Sequence, residues 1–499
     1  MKTRITAIFL ICIAIFPLFL SCNGSKTENQ PTEPGSLEDV ADAFDAPQAE
    51  IEYVYPELNC NGEDFTILNS SNVWAFYYQI VQETMTGDVL DDAIYMRNCA
   101  IEEKFNVSIK EVPVEVTTFN GKLRTIMLSG DDLYDAAFAP CNDGSVALGT
   151  LITENMLHNL KNVPGLNLGE PWWNQSAMAT SEIGSSKRLY FAFSDIDIFT
   201  LQGAWCMFIN EAMIENLGLE RPYELVKNGK WTYDRFYEYM RAGAQLGGAD
   251  SFKWEENGPA VYGYTSFVSG TRALLAGSGE RFIEMDSSGT PYITFGSERF
   301  YNVCEKLGEI LGTKAIGGYE NANDYGTPYH FEAMFENNRA FMMAGELKAA
   351  NSIRNMETAF GIMPMPKYDE AQERYWTTLL TAAPVMVIPT THSNLERSGI
   401  IMDAMAYLST KDITPVFFDV TMSQKQLRNT ESIEMLQLIR DTQFLDIGNV
   451  YGVGNQLNNL INSALDAGKS DNVASSIEKN EANVQDAIEK LIEYINNMD

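Results

Sequence analysis

Short apolar runs alternate along this chain with stretches whose apolar residues recur every three or four positions. Asp64 to Asn69 (DFTILN) is rich in strand formers and closes on polar residues. From Leu90 to Phe105, Ile94, Ala100, Ile101 and Phe105 recur at helical spacing, which predicts a helix. Val107 to Val112 reads as a strand, Gly121 to Ser129 as a helix, and Tyr134 to Phe138 as a third strand. This alternation predicts a parallel sheet with helices on its faces.

The alternation continues with variations. Leu189 to Phe199 reads as extended, and Gly203 to Ile209 is an apolar run of strand formers. Asn210 to Leu217 reads as a helix stopped by Gly218. Trp231 to Leu246 is a helix with Thr232 as its N-cap candidate; Phe236, Tyr239 and Met240 share a face, and Gly247-Gly248 ends it. Glu284 to Phe295 reads as a hairpin turned at Asp286 to Gly289. Phe360 to Pro364 and Ala383 to Ile388 are short strands, Ser393 to Leu408 is a helix, and Asp471 to Asn497 is a long amphipathic helix. No fixed period recurs, which argues against solenoids and propellers.

The first residues break this pattern. Lys2 and Arg4 precede the apolar run Ile5 to Leu20, and Ser21-Cys22 closes it. That is the layout of a secretory signal peptide, residues 1–21, and the run is shorter than the roughly 20 residues that span a bilayer. Leu18 to Cys22 (LFLSC) resembles the bacterial lipobox, which implies a diacylated Cys22 at the mature N-terminus. Residues 22–57 are rich in Ser, Asn, Glu, Asp, Gln and Pro, the composition of a flexible tether.

The chain has 499 residues, enough for two or three domains, and its 45% hydrophobic content is that of a globular protein. Its net charge of −33 repels nucleic acid and anionic lipid surfaces, so the only expected membrane contact is the lipid anchor. Beyond the signal, Cys60, Cys99, Cys141, Cys206 and Cys304 are widely spaced with no CxxC; the spacing argues against zinc and leaves one disulfide open. His158, His330 and His392 lack a metal-ligand partner at helical or turn spacing. HExxH, GxSxG and GxxxxGK[ST] are absent, and the expected cofactor is none. The acidic residues leave room for a glycosidase pair of carboxylates, and a surface glycoside hydrolase is the enzyme alternative. A glycan-capture lipoprotein without an importer is a third reading.

Six blocks in register resemble the family 1 extracellular solute-binding proteins of ABC importers. They are DDAIYMRNCAIEEKFNVSI (91–109), LYDAAFA (133–139), PWWNQ (171–175), FINEAMIENLGLERPYELVKNGKWTYDRF (208–236), FENNRAFMMAGEL (335–347) and FGIMPMPKYDEAQERY (360–375). The resemblance implies an α/β fold of two lobes, each a mostly parallel sheet flanked by helices. It places lobe one at 58–190 plus 380–424, lobe two at 200–375 plus 425–499, and hinges near 190–199, 376–385 and 424–430. It also implies a monomer that binds a small molecule, an oligosaccharide by family expectation, and delivers it to permease subunits without turnover.

A sugar site needs planar aromatics for C–H faces and polar side chains for hydroxyls. In open sheets it lies beyond strand carboxyl ends. Candidates after the first strand are Asn69, Asn72 and Trp74, and after the third strand Asn142 and Asp143. On the first crossing, Asp195 and Asp197 flank Ile196, and strand periodicity would put both acids on one face. Trp205, Glu346 and Trp376 sit at strand ends or crossings. Trp172 and Trp173 are adjacent, so an extended chain sends one to the core and the other, taken as Trp173, to the cleft.

Overall fold

Two four-stranded sheets form the interiors of the two lobes. The protein is described by a computed structural model covering residues 53–71, 80–252, 258–266, 268–313, 330–422 and 430–498. The chain begins with β1 (Glu63–Ser71), α1 (Val89–Phe105), β2 (Val107–Glu115), α2 (Phe119–Ser129) and β3 (Ala136–Pro140). Asp88 caps α1 by accepting from the Leu90 and Asp91 amides, and Asn106 ends it in the left-handed region at φ 49°. A single-turn helix α3 (Phe199–Gln202) precedes β4 (Trp205–Asn210), α4 (Glu211–Leu217) and α5 (Tyr233–Gly243). Asn210 caps α4 through the Met213 amide, and Gly218 closes it at φ 63°.

Next come β5 (Tyr262–Ser266), the hairpin β6 (Ile283–Met285) and β7 (Pro291–Ile293), α6 (His330–Glu336), β8 (Ala340–Glu346) and β9 (Phe360–Met363). The hairpin turns where the sequence places it: Asp286 Oδ1 accepts from the Ser288 and Thr290 amides. The chain finishes with β10 (Thr377–Thr378), β11 (Pro384–Val387), α7 (Leu395–Leu408), α8 (Thr414–Met422), α9 (Thr430–Asp441), β12 (Gln443–Phe444) and α10 (Asp471–Met498).

The first sheet has the order β11-β3-β1-β2, with β1 parallel to both β2 and β3 and β11 antiparallel at the edge. The second has the order β5-β8-β4-β9. There only β5 and β8 are parallel, while β4 runs antiparallel to β8 and β9. The mostly parallel sheet expected in each lobe is therefore realised in the first, and the second is mixed. Every residue of β3, β4, β5 and β9 is buried, because helices cover both faces.

Two further expectations differ from the structure. The helix read from Trp231 to Leu246 ends at Gly243, because Gln245 leaves it to exchange backbone bonds with Val261 at 2.8 and 2.7 Å. The extended reading of Leu189 to Phe199 fails after Ser194, where residues 195–198 turn into α3. The five cysteines beyond the signal are all free thiols, so the disulfide left open does not form. No helix among the described residues is long and apolar enough to cross a membrane.

Candidate functional site

The carboxyl ends of both sheets converge on one short run, residues 192–204. Ala192 exchanges both backbone bonds with Met386 in β11, each at 2.9 Å. Thr200 Oγ1 donates to the Pro384 carbonyl at 3.4 Å, and the Leu380 amide donates to Gly203 at 2.9 Å. From the other lobe, just past β8, the Leu347 and Lys348 amides donate to Ala204 and Gln202 at 2.8 and 3.0 Å. α3 therefore forms a floor gripped by lobe one on one side and lobe two on the other.

At the lobe-one end of this floor, Asn69 and Asp197 meet. Asn69 Nδ2 donates to Glu111 Oε1 at 2.9 Å, and the Asn69 side chain also bonds Asp197. Asp197 Oδ1 accepts from the Phe199 amide at 2.8 Å and so caps the entry to α3. Burial, reinforced by the nearby Glu111 charge, pushes the Asp197 carboxyl up to about 7. Arg97 lies close, but its guanidinium is spent on the Ile196 and Ile80 carbonyls, Asn98 Oδ1 and Ser409 Oγ.

Three buried polar groups here lack hydrogen-bond partners: Asn69 Oδ1, Ser70 Oγ, and both amide atoms of Gln202, which is 0% exposed. Leaving such a group buried and unpaired costs about 1–3 kcal/mol. Native interiors mostly avoid that cost, and a bound ligand or water is one way such a set is completed.

At the lobe-two end, β4 and β8 pair so that Trp205 stands opposite Glu346. Close by, burial raises the Glu332 carboxyl to about 7 with Glu346 adding like charge, while Lys348 and a bond from Ser352 oppose the shift. The floor thus offers one indole, several carboxyl groups and unpaired amide and hydroxyl groups, the donor and acceptor set a polyhydroxylated ligand needs.

The other predicted residues lie elsewhere or are already engaged. Asn142 Oδ1 accepts from Gly144, and Asp143 takes the Asn120, Gly121, Ser145 and Val146 amides, closing its own loop onto the start of α2. Asp195 does not share a face with Asp197, because the backbone turns between them. Its Oδ2 accepts from Thr414 and from Arg440 Nε and Nη2 at 2.7, 3.0 and 2.7 Å, joining α8 to α9. Trp172 and Trp173 do not divide between core and cleft. Both are buried, and both indole N–H groups donate to Asp403 Oδ1 at 2.9 Å. Trp376 is stacked against Arg281 and Arg374, each 4.2 Å from its ring centre. Asn72, Trp74 and Cys22 lie outside the described residues.

Sequence reasoning missed Gln202, Glu111 and Glu332 as site residues. Nothing local marks them; only the meeting of distant strand ends does. One arrangement resembles a hydrolytic triad, with His392 3.0 Å from Asp132 and 2.9 Å from Ser398. Ser398 is fully buried, and its hydroxyl donates to the Asp135 carbonyl at 3.0 Å, so it joins α7 to β3 and faces no substrate. Among the described residues no group of three or more His, Cys, Asp or Glu is placed to hold a metal ion.

No protein-family model and no curated relative matches the chain. Solved structures do. The cyclic α-maltosyl-1,6-maltose binding protein of Arthrobacter globiformis aligns over 86% of this chain and 99% of its own, at 11% identity and a TM-score of 0.55. The fold is that of the two-lobed solute-binding proteins. The GacH receptor of Streptomyces glaucescens, solved unliganded and with acarbose, aligns over 87% of this chain and 99% of its own, at 14% identity and a TM-score of 0.51. UgpB of Mycobacterium tuberculosis, solved with glycerophosphocholine, aligns over 80% of this chain and 96% of its own, at 13% identity and a TM-score of 0.52. At these identities the solute-binding fold is shared, while the ligand is set by each protein's own cleft.

Proposed function

We propose that this chain is an extracytoplasmic solute-binding protein, held to the membrane by a lipid on Cys22, that captures an oligosaccharide between its lobes. It delivers the ligand to the permease of an ABC importer and performs no turnover. The lobes are 58–190 with 380–424 and 200–375 with 425–499, hinged near 190–199 and 376–385; the third expected hinge, 424–430, lies almost wholly outside the described residues. Ligand contacts come from Asn69 and Asp197 on one wall, Gln202 on the floor, and Trp205 and Glu346 on the other wall.

The observation that carries this reading is the set of unpaired, solvent-free polar groups where both sheets end. A guest that satisfies groups from both walls binds the shut arrangement better than the open one, which is the differential affinity that drives closure. One neighbour with the same fold is solved with acarbose and another is named for binding cyclic α-maltosyl-1,6-maltose, which supports a saccharide. A thermal-shift screen of the mature chain against a glycan panel tests the reading, with tryptophan fluorescence as a second signal. Stabilisation by at least one oligosaccharide that is recovered intact is expected. Silence across the panel, or release of cleaved product, overturns it.

A further inference from the structure

The C-terminal helix α10 is rooted in one half of the molecule and ends on the other. It runs for 28 residues, and at about 1.5 Å per residue Tyr494 stands roughly 35 Å from Asp471. Its root lies in the part assigned to lobe two. There α10 packs against the helices Glu298–Gly312 and Asn455–Asp466. The Gly468 turn before it seats on Gly312 so closely that a side chain would run into the Gly312 backbone. A stripe of buried apolar residues, Val473, Ile477, Val484, Ile488, Leu491 and Ile495, follows the helix to its end. Its tip lies on the part assigned to lobe one. The Tyr494 hydroxyl donates to the Ile152 carbonyl at 2.6 Å, with Asn155 Oδ1 3.3 Å away. It also shares a hydrogen bond with Tyr190, two residues before the floor run 192–204.

Two further contacts join the same pair of surfaces. β7 packs on α10, and in the turn before β7 the Gly289 carbonyl accepts from the Gly184 amide at 2.9 Å. Gly289 sits at φ 77°, and a Cβ there would run into the Gly184 carbonyl oxygen. Tyr451 lies directly on Gly149, where a side chain would run into its ring. All three contacts link residues 149–190 to lobe two without passing through the floor.

We propose that α10 is a strut: together with the hairpin it sets the angle between the lobes from beside the floor, and so fixes the mutual placement of the two walls. The proposal rests on the two-lobe reading given above and adds to it a part outside the cleft. Short crossings between lobes leave rotation of one on the other soft. A helix is stiff, and one packed at its root and hydrogen-bonded at its tip opposes that rotation. Walls already held in register bind a shared guest without the cost of bringing them together.

Small-angle scattering and hydrogen exchange of the mature chain, of Tyr494→Phe and of a chain ending at Lys490 test the proposal. Both variants are expected to show a larger radius of gyration and roughly tenfold faster amide exchange across 184–204, with β1 and β4 unchanged. The truncation should exceed the point change. A glycan that stabilises the wild type in the panel above is expected to bind both variants roughly three- to tenfold more weakly. An unchanged radius, with faster exchange confined to 149–155 and the end of α10, overturns the proposal, because a locally structural tyrosine gives that result. Equal or tighter glycan binding by Tyr494→Phe overturns it too. Should the shortened chain fail to fold, Tyr494→Phe decides, since phenylalanine keeps the ring and loses only the hydroxyl. If the radius grows and no glycan binds, the cleft reading falls and the strut stands. If a glycan binds while radius and exchange stay unchanged, only the strut falls.

Discussion

Asp403 and Asp197 are both buried carboxyl groups beside the first sheet, and the protein furnishes them in opposite ways. Asp403 is fully buried and collects five donors: the Trp172 and Trp173 indoles, the Asn167 amide and side chain, and the Tyr53 hydroxyl. Tyr53 also stacks on Tyr407 at 4.8 Å, so this hub sews the start of the described chain onto α7. Asp197 sits among other acceptors, beside an amide oxygen and a hydroxyl with no partner. A carboxyl group with every lone pair answered holds a fold together. One left among unanswered groups, at the meeting of two lobes, is what the ligand site proposed above would use.

Substitutions can break or sharpen this comparison. Asp403→Ala strands two buried indole N–H groups and the Asn167 donors. It should show the largest effect, a loss of about 3–5 kcal/mol, read from denaturant or thermal unfolding with no specific effect on ligand affinity. Asp195→Ala leaves Arg440 buried without its carboxylate and should cost about 3 kcal/mol. It should also loosen the tie between α8 and α9, which tryptophan fluorescence would register.

Asp197→Asn should act the other way at high pH. The folded protein keeps Asp197 protonated up to about 7, above the unfolded value near 4. Folding therefore takes up a proton between those values, and stability falls as pH rises through that window. The variant, free of that penalty, should match the wild type near pH 4, gain on it as pH rises, and exceed it by about 1–2 kcal/mol or more above pH 7. A constant difference across pH would show that Asp197 is not desolvated. Gln202→Leu should have the smallest effect on the empty protein, within about 1 kcal/mol and stabilising in sign, since it removes two unpaired buried atoms. The same variant should weaken ligand binding, and a large loss of stability instead would make Gln202 structural.

The two-lobed solute-binding fold was legible in large part because its elements are written locally. Asn210 and Gly218 bracket α4, and Asp286 to Gly289 turn the hairpin, through bonds that reach no further than four residues. Of the predicted site, Asn69 with Asp197 and Trp205 with Glu346 were brought together. Asp143 and Asp195 are polar residues in suitable places whose carboxylates were already taken, by loop amides and by Arg440.

Period and composition along the chain determined the strand and helix order, the helix caps and the position of the hairpin, because each depends on the preferences of neighbouring residues. The partners of the buried polar groups were decided only by folding. Trp173 finds Asp403 across 230 positions, and Arg440 finds Asp195 across 245. No local periodicity encodes contacts at that separation. They follow from which sheet ends meet, and so does the place of Gln202, silent in the sequence, at that meeting with its side-chain amide unpaired.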